Sequence, residues 1–175
     1  MRPHLQMNVL CCLSESKSNL FSLLKYLQKI PHVRTTKLEK LPADLSRFQV
    51  IITETASAYN PAPKRLEQFV RSGGGWLGVV NLLELPISEL FGVSSGPIGP
   101  ESEIRVLFQD INQPMADRLP DAIYVKGRYH PLQILSDDVT TLLYADWRYQ
   151  HRPVLVYRQV DAGRVGCTTL QDFDN

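Results

Sequence analysis

Four polar residues stand where a ligand could be held: Glu54, Asn81, Gln113 and Asp172. Glu54 closes the apolar run that begins at Phe48, Asn81 follows the run Trp76 to Val80, and Asp172 comes just past the run Arg164 to Leu170. An asparagine amide offers both a donor and an acceptor, whereas an ionised glutamate offers acceptors only. With Gln113 and Asp172 added, the set suits a polar, hydroxyl-rich, sugar-like small molecule. A competing reading is that each of these side chains only caps a strand end or faces water.

Other reactive types point away from chemistry. Cys11 and Cys12 lie inside an apolar run, and no neighbour in sequence would lower a thiol pKa. With Cys167 the count is odd, which argues against a disulfide framework and for reduced, buried thiols. His4, His32, His130 and His151 are unpaired at i+2, i+3 or i+4 with another histidine or a cysteine, so no metal site is expected. His130, in Arg128-Tyr129-His130-Pro131, is the best titratable candidate. The carboxylates Asp137-Asp138 fit a turn before a strand, while Asp172 and Asp174 could enter a site at the sheet edge or form a solvated tail.

Gly73-Gly74-Gly75 sits between a helix and a strand. A phosphate loop needs the reverse order, strand into helix, so a helix cap and tight turn is the simpler reading and no cofactor is expected. At the turn after Trp76–Val80 the sequence reads Val79-Val80-Asn81-Leu82, without serine or cysteine. A nucleophile on that elbow is therefore not expected, and no catalytic residue is assigned.

The elements that must position these groups can be read from periodicity. Met7 to Leu13 is a strand buried on both faces. Ser16 or Ser18 can cap a helix whose apolar stripe is Leu20, Leu23, Leu24, Leu27 and Ile30, stopped by Pro31. His32 to Leu38 is a more polar strand suited to an edge. Phe48 to Glu54, a helix from Pro63 carrying Leu66, Phe69 and Val70, and the strand Trp76 to Val80 complete a β-α-β-β-α-β order, or βαβαβ if His32 to Leu38 is discounted. Such crossovers imply a parallel sheet covered on both faces, with ligands gathering at the carboxyl ends of the strands. Beyond it, Leu82 to Phe91 reads as a short helix broken at Pro86, and Val93 to Pro100 as loop. Glu103–Phe108, Ala122–Val125, Thr140–Tyr144, Pro153–Tyr157 and Arg164–Leu170 are strand candidates, the last two joined by a hairpin turn at Asp161-Ala162-Gly163.

The 175 residues suit a single domain, 1–175. Nineteen basic against eighteen acidic residues give a net charge of +1, with no pull toward nucleic acid or an anionic membrane. The first residues lack a signal peptide's pattern, and no apolar stretch has the length of a membrane helix, so a cytoplasmic location is expected. Trp147, Tyr149 and Tyr157 cluster where few helices can cover them, which suggests a homodimer or larger assembly.

Three segments carry a family resemblance: Leu66-Glu-Gln-Phe-Val-Arg-Ser-Gly-Gly-Gly-Trp-Leu-Gly78, Asn112-Gln-Pro-Met-Ala-Asp-Arg-Leu-Pro120, and Arg152-Pro-Val-Leu-Val156 followed by Ala162-Gly-Arg-Val165. In order and spacing the chain resembles the trehalose-utilisation (ThuA-like) family of class I glutamine-amidotransferase-like domains, from about Phe48 to Leu170. The resemblance implies a flavodoxin-like, three-layer α/β sandwich with a mainly parallel central sheet, here with an added β-rich portion. Positions where the family often carries histidine read Val80, Gln113 and Asp172. The amidotransferase's elbow cysteine is absent too. Two functions remain open. One is a non-catalytic ligand-binding or assembly domain; the other is an enzyme of carbohydrate metabolism with an altered polar site. An authentic glutamine amidotransferase is the weakest third.

Overall fold

The computed structural model describes residues 6–13, 20–53, 63–79, 88–110, 120–147 and 150–170, with the side chain of Trp147 left aside. Its first half follows the apolar runs. Strand β1 (Met7–Cys12) leads to helix α1 (Leu20–Leu27), then β2 (Val33–Leu38) and β3 (Val50–Thr53). Helix α2 (Pro63–Arg71) and β4 (Gly75–Val79) close that half. Pro63 opens α2, where a missing N–H costs nothing. Gly73 ends it with φ 109°, donating to Val70 O (2.9 Å) while Gly74 donates to Phe69 O (3.0 Å). This paired closure needs a left-handed residue, so the glycine run is a helix cap.

The second half is strands: β5 (Val93–Ser95), β6 (Ser102–Phe108), β7 (Ile123–Gly127), β8 (Leu132–Ile134), β9 (Thr140–Trp147), β10 (Gln150–Val160) and β11 (Gly163–Thr168), preceded by one helical turn, α3 (Ser88–Phe91). Nine strands form one sheet in the order β2-β1-β3-β4-β11-β10-β9-β6-β7, and β5 pairs with β8 apart from it. The pairings β2·β1, β1·β3, β3·β4 and β4·β11 are parallel. From β11 to β7 every pairing is antiparallel. The last described strand in sequence thus inserts at the centre, joining the two halves.

This corrects the expected flavodoxin-like three-layer sandwich with a mainly parallel sheet. Strands hold 49% and helices only 16% of the described residues, and the sheet is mixed. The reason lies in the connections. An antiparallel neighbour needs only a hairpin, as at Asp161-Ala162 with Asp161 at φ 50°, whereas each parallel neighbour needs a crossover. Described helices therefore accompany the parallel half. Leu20 and Leu24 of α1 bury against Val9, Cys11, Ile52 and Val79. Leu66 and Val70 of α2 and Phe91 of α3 bury against Leu10, Ile51, Trp76, Val165 and Cys167. The antiparallel half has a smaller core of Ile104, Val106, Tyr129, Ala145 and Val154.

Smaller expectations also change. Val93 to Pro100 is not all loop, since Val93–Ser95 pairs with Leu132–Ile134, a strand too short for periodicity to announce. Pro153 falls inside β10 rather than at its start. It brings a register irregularity between Pro153 and Leu155, as expected where a residue cannot donate to the ladder. Leu82 to Pro86 and the capping serines Ser16 and Ser18 lie outside the described residues, as does Tyr149; Tyr157 is 37% exposed.

Candidate functional site

The parallel strands finish along one line. Cys12 faces Thr53 across β1·β3, Thr53 faces Gly78 across β3·β4, and Gly78 faces Cys167 across β4·β11, with Val79 and Thr168 one step further. A parallel register fixes this alignment, because β1, β3, β4 and β11 all run in the same direction. Glu54, Asn81 and Asp172 follow these strand ends in sequence, within one to four residues. All three, and Gln113, lie outside the described residues.

What the structure describes along this line is a set of buried hydroxyls. Thr53 is fully buried and accepts a hydrogen bond from Trp76 Nε1 at 3.0 Å. The indole stands edge-on to Phe91, 4.8 Å between ring centres, so α3 packs directly behind the hydrogen bond. Thr168 Oγ1 accepts from the backbone N–H of Leu170 at 3.1 Å and turns the chain at the end of β11. Thr169 is fully buried; its N–H donates to Val154 O (2.9 Å), and its hydroxyl has no hydrogen-bond partner among the described residues. The sequence points to amides and carboxylates rather than to these threonines. The available signal was a threonine closing an apolar run, once at Val50–Thr53 and doubled at Thr168-Thr169.

The thiols do not supply a nucleophile here. Cys11, Cys12 and Cys167 are free and buried. Burial pushes Cys11 up to about 11 and Cys167 up to about 12; burial, then the neighbouring Cys11, pushes Cys12 up to about 12. A thiol so raised is almost wholly protonated near neutrality and is a poor nucleophile.

Other sequence candidates hold structure together. His130 Nδ1 lies 2.9 Å from Gly96 O and pins the segment after β5. His151 stacks on Tyr144 at 4.3 Å. Asp138, held below its ordinary range by the Ser136 hydroxyl and then by Arg158, accepts from Arg158 Nε at 2.7 Å. Arg158 also donates to Glu89 O (2.9 Å) and Leu90 O (3.3 Å), so Arg158 anchors α3 to β10. Among the described residues no group of three or more His, Cys, Asp or Glu could hold a metal ion, and no helix is long and apolar enough to cross a membrane.

No protein-family model and no curated protein matches the sequence. Solved structures do match in shape. A ThuA-like protein from Bacteroides uniformis aligns with TM-score 0.70 at 14% identity, over 97% of this chain and 82% of that one. A β-galactosidase from Bacillus circulans sp. alkalophilus aligns with TM-score 0.64 at 15% identity, over 96% of this chain but 29% of the enzyme. The carbohydrate deacetylase Agd3 aligns with TM-score 0.68 at 15% identity, over 94% of this chain and 29% of that one. The chain therefore spans most of the ThuA-like protein and under a third of the two enzymes. At these identities the likeness is one of fold. At that level the resemblance to ThuA-like domains read from the sequence holds: this chain has their fold.

Proposed function

We propose that the chain is a carbohydrate-associated ThuA-like domain that binds a polar, sugar-like molecule at the carboxyl ends of β1, β3, β4 and β11, without amidotransferase chemistry. The observation that carries this is the line Cys12, Thr53, Gly78, Cys167. It collects four strand ends at one edge, with Glu54, Asn81 and Asp172 next in sequence. Strand carboxyl ends are where open parallel sheets bind ligands. The buried, protonated thiols support the second part, since glutaminase chemistry of this class needs a thiolate.

The test is a calorimetric titration with a panel of neutral sugars and sugar acids, run on the wild type and on Asn81→Leu. The reading predicts saturable binding that Asn81→Leu weakens by about 0.5–1.5 kcal/mol, one hydrogen bond's worth. Binding indifferent to that change would reject the site. Ammonia release from glutamine that a thiol-alkylating reagent abolishes would reject the chemistry.

A second reading, an enzyme acting on a sugar derivative, is favoured by the likeness to a β-galactosidase and a carbohydrate deacetylase. Turnover of any panel member or its acetylated form, lost in Asn81→Leu, would select it over simple binding.

A further inference from the structure

The sheet's two terminal strands differ in how they meet water. No described strand pairs with the outer side of β2 or β7. An open edge is a template for another strand, and proteins commonly block it with charge. β2 is blocked in this way. In a full-length antiparallel pairing of β2 with a second copy, Val33 faces Leu38 and Arg34 faces Lys37, so cations oppose each other twice.

β7 reads Ile-Tyr-Val-Lys-Gly, three strand-forming residues in succession with no proline. Ile123 is 40% and Tyr124 62% exposed. Its one charge, Lys126, reaches Glu101 at 3.6 Å on an open surface, a contact too exposed to hold the lysine firmly. Full-length antiparallel pairing of β7 with itself puts Val125 on the two-fold axis. Tyr124 then faces Lys126 twice, a ring opposite a cation rather than like charges. Ile123 faces Gly127, where an added Cβ would meet nothing within 4 Å, so there is room for the partner's isoleucine. The strand is complementary to its own reverse.

We propose that β7 is a self-association edge, through which two copies of this chain join their nine-stranded sheets into one continuous sheet across a two-fold axis. The occupant is a second copy because the chemistry of the strand matches itself. This inference does not rest on the ligand reading.

Sedimentation equilibrium of the full chain across the micromolar range should show a monomer–dimer equilibrium. Tyr124→Lys, at an exposed position, should leave the circular dichroism unchanged and weaken the dimer roughly tenfold by setting cation against cation twice. Val125→Cys should form an intermolecular disulfide on mild oxidation. Facing Cα atoms in an antiparallel pair lie roughly 4.5–5.5 Å apart, inside the range a disulfide spans. Ile123→Cys should not, because its counterpart lies about four residues along the strand, roughly 13 Å away. The native thiols are buried and give little background. A wild type that stays monomeric overturns the proposal. So does a dimer that ignores Tyr124→Lys and fails to cross-link at Val125→Cys.

Discussion

The two halves of the sheet bury their polar groups differently. In the parallel half, β1 and β3 are apolar on both faces, and the polar atoms inside are few and mostly paired, as Thr53 is with Trp76. In the antiparallel half, strands such as β6 alternate, with Ile104 and Val106 buried and Glu103 and Arg105 outside. Charges there meet on the surface, Arg105 facing Asp146 at 3.7 Å. A strand covered on both sides can offer function only at its end, whereas a half-exposed strand spreads its polar groups along its length. This is why the ligand site is proposed at the carboxyl line of the parallel half.

The contrast can be broken by substitution. Trp76→Ala should have the largest effect, costing about 3–5 kcal/mol in urea unfolding, because it empties a fully buried site and strands Thr53. A loss under 1 kcal/mol would mean that the parallel core is not packed as described. At the seam between the halves, a Cβ on Gly163 would run into the backbone carbonyls of Val70 and Gly74. Gly163→Ala should cost about 1–3 kcal/mol, read from the same unfolding curves, because backbone and not a flexible side chain must yield.

The buried thiols make the parallel half sensitive to pH. Cys11 titrates at about 11 and Cys12 and Cys167 at about 12 in the folded chain, against an ordinary value of 9.0. The unfolded chain releases these protons first, so the thiols' contribution to stability is intact below pH 9 and is lost as pH rises toward 11–12. The limiting slope is about 1.4 kcal/mol per pH unit for each thiol. Cys12→Ala should flatten the decline, measured as the urea midpoint between pH 8 and 10.5. An unchanged slope would contradict the burial. The smallest effect belongs to the antiparallel half: Arg105→Ala should shift stability by no more than about 0.5 kcal/mol, since its ion pair is exposed.

The same contrast explains what the sequence discloses. Met7–Cys12, Val50–Thr53 and Gly75–Val79 are continuous apolar runs bounded by turn or cap residues, so their burial is legible. Gly73 and Asp161-Ala162-Gly163 announce a cap and a hairpin because few residues accept those backbone angles. Layering is less legible. Nothing local in Arg164–Leu170 says that the last strand inserts between β4 and β10, since pairing partners are chosen by long-range packing. Short strands such as Val93–Ser95 carry too few residues for a period to emerge. At the candidate site, strand ends are legible, while the buried hydroxyls of Thr53, Thr168 and Thr169 are not, because a threonine closing a strand reads as ordinary β structure.

The most direct test follows the backbone amide signals of uniformly 15N-labelled protein while the sugar panel is added. Binding at the carboxyl line should shift Leu13, Thr53, Val79 and Thr169 together, at the ends of four different strands, and leave Arg105, Tyr144 and His151 in place. Shifts confined to those antiparallel-half residues, or no shift with any sugar, would contradict the account.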